Sequence, residues 1–298
     1  MGSIQETEQA VADALIAAIE AGESTGKWEM PWAADAGVPI NPTTGRPYAG
    51  GFNYFVLACG GMQFGDNRWA GRSQWFKSKN PVKKDQTPTG IFFPRFSCAA
   101  CGAKVGWGKK CSRGHSVVKA SEKKFSGWGS SEVFNNQQTH NPLPQAETKD
   151  IDPTVGFESA AAIVAKMGAT LNHGGGRAFY RPSDDSIQLP EAGSFKTVAD
   201  YWATNMHEHA HWTGAASRCD REGITAFTSF GTEEYAYEEL VAEMASAFVC
   251  SHIGVERPGL MDNHVAYLAS WKQKLTEDPG AIRRAANEAG KAMRFLLG

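Results

Sequence analysis

The chain has 298 residues, which at about 100 to 200 residues per domain predicts two domains. Hydrophobic residues make up 42% and charged residues 21% of the sequence, and no apolar run approaches the ~20 residues that a membrane helix needs, so we expect a globular protein with no membrane partner. The net charge of −2 conceals two unlike halves: residues 1–150 carry 17 Lys and Arg against 13 Asp and Glu, and residues 151–298 carry 13 against 19. The first residues lack the basic and apolar pattern of a secretory signal, which predicts a cytoplasmic protein with reduced thiols.

The first predicted element is an amphipathic helix over 4–21, where apolar residues recur at helical spacing. Over 28–134, short aromatic and β-branched runs are separated by Gly, Pro, Asn and Asp, which predicts a small α+β domain with a sheet. The polar, Pro-containing stretch 139–153 predicts the boundary between the domains. We therefore expect one domain over 1–145 and a second over 151–298.

The second half is predicted to be mainly helical with a small sheet, so the whole chain is expected to be an α+β protein. Residues 178–189 read as a hairpin around a Pro-Ser-Asp-Asp turn. Thr197 and Asp200 form a capping box that opens a helix running to about Gly214. Apolar periodicity predicts further helices over 156–169, 233–253, 263–275 and 280–296.

A strongly basic segment over 68–124 holds fourteen Lys and Arg against two acidic residues, with aromatic residues between the charges. Bases stack on aromatic rings while Lys and Arg contact phosphates, so this composition favours binding of single-stranded DNA. The alternative is an aromatic core beneath a solvated basic face. The candidate contacts are tryptophans and basic residues of this segment: Arg68, Trp69, Arg72, Trp75, Lys77, Lys83, Lys84, Arg95, Lys109 and Lys110.

Residues 206–212 read M-H-E-H-A-H-W, which places His207 and His211 one helical turn apart with Glu208 between them. Two imidazoles at this spacing can bind one zinc ion, and Glu208 can accept a proton from the attacking water. The pattern predicts a zinc-dependent peptidase acting on a protein substrate of unknown identity. His209 points to another face of the helix and is expected to be a surface or core histidine.

The helix over 233–253 can supply the third ligand. Glu239 and Glu243 share one face, and we interpret Glu239 as the ligand and Glu243 as a carboxylate that orients a ligand histidine, whereas Glu238 is expected to point elsewhere. The alternative is an acidic solvated face, but the other positions of this helix are apolar, and buried carboxylates require a cation. Three tyrosines could donate a hydrogen bond to a tetrahedral oxyanion, but we interpret each of them as a packing residue: Tyr180, Tyr235 and Tyr237.

A second metal site is predicted within an insert of about 96–118. Cys98 and Cys101 are separated by two residues, and Cys111 and His115 by three, a spacing typical of a structural zinc knuckle. The alternative is a loop with free thiols.

Taken together, these motifs resemble the ArdC family of plasmid-borne antirestriction proteins over nearly the whole chain. In the first half the resemblance lies in Pro31-Trp32, in the run N-P-T-T-G-R-P-Y-A-G-G-F-N over 41–53, around Trp75 and Lys83-Lys84, and in V-F-N-N-Q-Q over 133–138. In the second half it lies in A-F-Y-R-P-S-D-D-S-I-Q-L-P, H-E-H-A-H-W-T-G and Y-A-Y-E-E-L-V-A-E-M-A-S-A-F. The sequence departs from the family pattern at His209, where an apolar residue is usual, and in the segment from Cys98 to His115.

The resemblance implies a single-stranded-DNA-binding domain, a zincin-like metallopeptidase domain with a gluzincin-type site, and protection of incoming plasmid DNA from restriction during conjugation. A second interpretation stays open, in which the protein coats single-stranded DNA without enzymatic activity and both zinc sites are structural.

Overall fold

The computed structural model of the chain describes residues 3–25, 37–106, 109–144, 153–226, 232–255 and 265–298. Several predicted features lie outside these ranges. They are the aromatic residues Trp28, Trp32 and Trp107, residues 145–152 of the predicted boundary, and the predicted helix start at Asn263. No helix of the described ranges combines the length and apolar character needed to cross a bilayer.

The first half combines helices with a small antiparallel sheet, as predicted from its mixed composition. The sheet has the strand order β3 (Trp69–Ala70), β5 (Lys123–Asn135), β4 (Thr89–Cys98). Strands β4 and β5 form a long two-stranded ribbon that runs from Thr89 opposite Val133 to Cys98 opposite Lys123. A bulge lies between Arg95 and Phe96. The elements are α1 (Ile4–Thr25), β1 (Ile40–Asn41), β2 (Arg46–Pro47), α2 (Gly51–Phe64), β3 (Trp69–Ala70), α3 (Arg72–Lys77), β4 (Thr89–Cys98) and β5 (Lys123–Asn135).

The second half is mainly helical with a three-stranded sheet. Its strand order is β6, β8, β7, in which β6 lies parallel and β7 antiparallel to β8. The predicted hairpin is confirmed, and β6 adds a strand that the sequence analysis did not predict. The elements are α4 (Pro153–Met167), β6 (Thr170–His173), β7 (Phe179–Arg181), β8 (Ser186–Leu189), α5 (Val198–Trp212), α6 (Glu222–Thr225), α7 (Glu233–Ile253), α8 (Val265–Glu277) and α9 (Ala281–Leu297).

Local capping explains where the site helix α5 begins. The Thr197 hydroxyl accepts a hydrogen bond from the backbone N–H of Asp200 at 3.0 Å, and the Asp200 carboxylate accepts one from the backbone N–H of Thr197 at 2.9 Å. This reciprocal pair satisfies two backbone donors that an uncapped helix would leave exposed. The capping box predicted from the sequence is therefore confirmed.

The largest apolar core joins helices from both halves of the chain. Leu15 of α1 and Phe55 of α2 belong to the same buried cluster as Phe248 of α7 and Trp271 of α8. The rings of Tyr54 and Phe248 are 4.4 Å apart between centroids. The predicted boundary therefore separates two stretches of sequence whose apolar residues pack into one interior.

The close crossing of α2 and α9 requires glycine at two positions. A Cβ atom on Gly51 would lie 1.8 Å from the carbonyl oxygen of Ala286, and one on Gly290 would lie 2.8 Å from the Cα atom of Gly51. At this crossing the Asn287 side chain accepts a hydrogen bond from the backbone N–H of Phe52 at 3.2 Å, and so caps α2. The Gly-Gly pair of the 41–53 motif thus begins a helix and lets it approach its neighbour.

Candidate functional site

Helices α5 and α7 bring two imidazoles and one carboxylate together in the interior. The Nε2 atoms of His207 and His211 lie 3.1 Å apart. Each of them lies 3.4 Å from an oxygen of Glu239. All three side chains are at least 95% buried, so the donor atoms converge in the interior.

These donor atoms have the spacing that a small divalent cation needs. Tetrahedral zinc with ligand distances of about 2.0 to 2.1 Å separates its ligand atoms by about 3.3 to 3.4 Å. The observed separations of 3.1 and 3.4 Å lie close to that value. The three residues therefore fit the metal that the motif predicts.

Electrostatics at the triad also favour a cation. Burial alone would disfavour protonation of His211, but Glu239 and Glu238 outweigh burial and raise its pKa to about 10. Burial likewise opposes ionisation of Glu239, yet the charge of His211 and hydrogen bonds from His207 and His211 hold its pKa well below the usual range. A buried carboxylate that stays ionised attracts positive charge, which the His211 proton supplies here and which a metal ion would supply after displacing that proton.

Two further carboxylates lie behind the imidazoles. An oxygen of Glu243 lies 3.5 Å from Nδ1 of His207, and the role of Glu243 in orienting that histidine stays a prediction. An oxygen of Glu238 lies 3.2 Å from Nδ1 of His211, so the expectation that Glu238 points elsewhere is wrong. The i, i+4 spacing did not predict this contact of Glu238, because it compares only Glu239 and Glu243. In the structure the adjacent residues Glu238 and Glu239 contact different ring nitrogens of His211, Glu238 near Nδ1 and Glu239 near Nε2.

Arg221 holds Glu238 in place. Its guanidinium donates to the carboxylate from Nε at 2.9 Å and from Nη2 at 2.5 Å, and it also donates to the Thr213 hydroxyl at 2.8 Å and the Ala210 carbonyl at 2.6 Å. Arg221 is 5% exposed and Glu238 is 1% exposed. A buried charge pair with this many hydrogen bonds fixes the orientation of the His211 ring.

His209 lies on the opposite side of α5, as predicted, and is a buried core residue. Its Nδ1 atom lies 2.9 Å from the Asn205 carbonyl oxygen. Burial lowers the pKa of His209 to about 4, although the hydrogen bond with the Asn205 carbonyl acts to raise that pKa. The neutral ring therefore occupies a core position where an apolar residue would also fit, and it does not reach the metal-binding triad.

An open cleft of about 870 Å³ leads to the triad. Glu208 lines it beside His207 and His211, and β7 forms one wall. Among the three candidate tyrosines, Tyr235 lines this cleft and its ring stacks on His211 at 6.3 Å. Tyr180 also lines it, but its hydroxyl donates to Asp185 at 2.8 Å, and Tyr237 lies in a different cleft.

The predicted zinc knuckle forms a second cluster at the tip of the ribbon. The ligand atoms of Cys98, Cys101, Cys111 and His115 all lie within 4.8 Å of one another. The Sγ atoms of Cys101 and Cys111 are 3.7 Å apart, close to the ~3.8 Å that two thiolates at about 2.3 Å from one zinc ion would show. Burial opposes ionisation of Cys111, but backbone hydrogen bonds from Arg113 and His115 outweigh it and lower its pKa to about 6.

Two predicted DNA contacts are buried and cannot stack on bases. Trp69 is 0% exposed and packs against Leu57 and Val133. Trp75 is 1% exposed, and its indole N–H donates to the Phe134 carbonyl at 2.9 Å. The assignment of both tryptophans to the DNA contacts is therefore wrong, because the alternative of an aromatic core holds for them.

Two predicted basic contacts are engaged with the protein itself. Arg68 pairs with Asp66 at 2.6 Å and donates to the Leu143 and Pro144 carbonyls, and Lys83 donates to the Gln137 carbonyl at 3.2 Å. Both interactions fasten the segment that follows β5, and both side chains are half-buried, so their role as DNA contacts stays a prediction. The remaining basic candidates are exposed: Arg72, Lys77, Lys84, Arg95, Lys109 and Lys110.

The ribbon carries an aromatic cluster that the candidate contacts did not include. We define the ribbon cluster as Phe96, Phe125 and Trp128, whose rings meet edge to face at 6.3 and 5.7 Å. Phe125 is 57% and Trp128 41% exposed. The sequence indicates this exposure in the run K-K-F-S-G-W-G. Small residues and two lysines surround the two aromatic rings there, and their side chains cannot cover the rings.

Two family models match the chain, one in each half. The model of the N-terminal domain of the anti-restriction factor ArdC matches residues 5–125. The model of the zincin-like metallopeptidase matches residues 158–288. The matched ranges lie on either side of the predicted boundary.

Relatives and solved structures match over nearly the full chain. A DNA primase TraC of Escherichia coli is 37% identical over 294 residues, which are 96% of this chain and 26% of TraC, so the chain spans about a quarter of that relative. Protein y4eC of Sinorhizobium fredii, which is uncharacterized, is 30% identical over 286 residues, or 94% of this chain and 87% of that protein. Crystal structures of the antirestriction protein ArdC from plasmid R388, metal-free and Mn(II)-bound, each superpose with a TM-score of 0.69 at 26% identity, covering 97% of this chain and 96% of ArdC.

Proposed function

This chain belongs to the ArdC family, and from that premise we propose that it is an antirestriction protein that binds single-stranded DNA and carries a zinc-dependent peptidase. The observation that supports the peptidase is the convergence of His207, His211 and Glu239 beside Glu208 at the end of an open cleft. In this proposal the protein protects incoming plasmid DNA during conjugation and acts on a protein that approaches or occupies that DNA.

Each side chain of the site has a separate role in the proposed peptide hydrolysis. When bound, zinc supplies Lewis-acid polarisation of the scissile carbonyl and lowers the pKa of water. Glu208 would accept a proton from the attacking water and pass it to the leaving amine. Burial and the nearby charge of Glu239 raise the pKa of Tyr235, which keeps its hydroxyl protonated and able to donate to the developing oxyanion.

The test of the peptidase is cleavage of a peptide library by the zinc-loaded protein and by its Glu208→Gln variant. We expect cleavage by the wild type, a loss of at least about a hundredfold in the variant, and unchanged zinc content. Glu191→Gln, an exposed change outside the cleft, is the matched control. Full cleavage by Glu208→Gln would refute the proposed role of Glu208.

For DNA binding, the supporting observation is the exposed ribbon cluster next to exposed cations. Lys124 directly precedes Phe125, and Arg95 lies on the opposite strand next to Phe96. Base stacking on exposed rings combined with cationic contacts to phosphates is how proteins bind single strands without sequence preference. The relatives named DNA primase TraC also support a role at DNA.

The DNA proposal predicts separate effects for rings and charges. Phe125→Ala with Trp128→Ala should weaken binding of an oligonucleotide by about 5- to 150-fold per ring, since a stacked base contributes about 1 to 3 kcal/mol. Lys124→Ala should also reduce the dependence of affinity on salt, by about 0.7 in the logarithmic slope. Phe295→Ala, which removes a 37% exposed ring elsewhere, is the control, and equal losses in the control would argue against the ribbon as the DNA surface.

The alternative to an enzyme is a DNA-coating protein with structural metals. Antirestriction by Glu208→Gln in recipient cells distinguishes the two, because a coat needs no proton acceptor. We expect reduced protection in this variant, whereas full protection together with intact DNA binding would favour the coat.

A further inference from the structure

We infer that the cleft selects peptides with an acidic side chain close to the cleaved bond, and that Arg177 is the residue that recognises it. This inference rests on the proposed peptidase function and names a substrate class for the same site. It follows from the charges that remain in the cleft once the carboxylates of the triad and of Glu208 are assigned to their roles.

Among the described residues that line the cleft, two arginines balance two glutamates, so a bound divalent cation would make the net charge positive. Glu208 and Glu239 are the acidic residues that line it, and both have a role in metal binding or proton transfer. Apart from the two ligand histidines, the other ionisable groups of the lining are arginines or tyrosines. With a divalent cation bound, the described wall that a substrate side chain meets would therefore carry Arg177 and Arg181, and no carboxylate of the described lining would be left without a role.

The two arginines differ in how much of their charge is available. Nη1 of Arg181 lies 2.8 Å from the Asp184 carboxylate, which neutralises much of its charge. Arg177 is exposed, and no described carboxylate lies within ion-pairing distance of it. Among the described residues of this wall, Arg177 is therefore the arginine whose charge no carboxylate neutralises.

Arg177 also acts across the cleft. Burial and the charge of Glu239 raise the pKa of Tyr267, and the charge of Arg177 opposes that rise. Tyr267 lines the same cleft from α8 and its ring lies 5.7 Å from that of Tyr235. Arg177 thus lies within electrostatic range of the residues that surround the triad.

Strand β7 gives a bound peptide a path past both arginines. In the described sheet β7 is hydrogen-bonded only to β8, so its other edge can pair with an extended peptide. Arg177 precedes this strand by two residues and Arg181 ends it. At about 3.3 Å per residue the two lie about 13 Å apart along the strand direction, so one of them flanks each end of a short bound segment.

The inference is tested with peptides that differ at one position within three residues of the cleaved bond, where Asp, Asn or Lys is placed. Wild type, Arg177→Glu and the control Lys196→Glu, an exposed charge reversal outside the cleft, are compared. For unit charges about 6 Å apart at an effective dielectric constant of about 40, we expect about a tenfold preference in kcat/KM for Asp over Asn. The preference should weaken at high salt, turn toward Lys in Arg177→Glu, and persist in Lys196→Glu.

A binding measurement keeps the test independent of turnover. The same peptides, fluorescently labelled, are titrated with zinc-loaded Glu208→Gln protein, and the dissociation constants should show the same order of Asp, Asn and Lys. Equal binding of Asp and Lys peptides, or a preference for Asp that survives Arg177→Glu, would overturn the inference. Absence of any cleavage by the wild type would instead overturn the proposed function, and the binding order would still decide whether Arg177 selects acidic peptides.

Discussion

The pair of Arg221 and Glu238 should stabilise the fold and the metal site together. Arg221→Met keeps the length of the side chain but removes its hydrogen bonds to Glu238, Thr213 and the Ala210 carbonyl. It leaves Glu238, which is 1% exposed, as a buried carboxylate whose remaining partner is His211 at 3.2 Å. Breaking a buried ion pair costs about 3 to 5 kcal/mol, and since His211 partly compensates the charge, we expect a loss of about 3 kcal/mol in the free energy of unfolding.

The assay is urea unfolding of the chelator-treated protein, followed by circular dichroism. The double variant Arg221→Met with Glu238→Leu removes both charges, and we expect it to recover about 2 kcal/mol relative to the sum of the single losses. Arg181→Met, which breaks the exposed pair with Asp184, is the control and should change stability by less than about 1 kcal/mol. A loss below about 1 kcal/mol for Arg221→Met, or strict additivity in the double variant, would refute the account. Zinc titration of Glu238→Gln should in addition show an affinity about 10 to 100 times weaker.

Three further predictions concern packing, pH and metal content. Gly51→Ala should lower the free energy of unfolding, measured in urea, by about 1 to 3 kcal/mol, because the added Cβ has no room at the helix crossing. Gly193→Ala is the control and should be nearly neutral, because there is open space around Gly193. Equal effects of the two substitutions would contradict the packing argument. Since burial lowers the pKa of His209 to about 4, the folded state binds fewer protons than the unfolded state between about pH 6.5 and 4, so this residue reduces stability as the pH falls through that window. His209→Leu should therefore remove about 2 kcal/mol of the loss between pH 7 and pH 5, and an unchanged pH dependence of urea unfolding would contradict it. Cys101→Ser should release one of two bound zinc ions, as measured by elemental analysis, and retain the one at the triad; loss of both ions, or of neither, would argue against two independent sites.

The sequence predicted the helices and the metal triad better than the DNA surface. Periodicity and capping residues located α5 and α7, and i, i+4 spacing is enough to place His207 and His211 on one face. The contact of Glu238 with His211 depends on how far apart α5 and α7 lie, which no local pattern specifies. The sequence likewise did not predict that the two halves share one core, because an apolar helix face does not show which other helix it packs against.

The two tryptophans of the basic segment were misassigned for a related reason. Tryptophans between lysines look alike in sequence whether they stack on bases or fill a core, and only the pairing of β3, β4 and β5 buried Trp69 and Trp75 while leaving Trp128 outside. The sequence also did not predict the pairing of Arg68 with Asp66, two residues before it, because the contact depends on the local path of the chain.

The common interior of α1, α2, α7 and α8 has a consequence for how the molecule melts and for how it is inherited. Cutting the chain between its halves would strip apolar helices of their cover and leave both pieces prone to aggregation. Heat or denaturant should therefore unfold both halves in one cooperative transition. Recombination that exchanges only one half between relatives would have to preserve the glycine crossing of α2 and α9, so we expect the two halves to be inherited together.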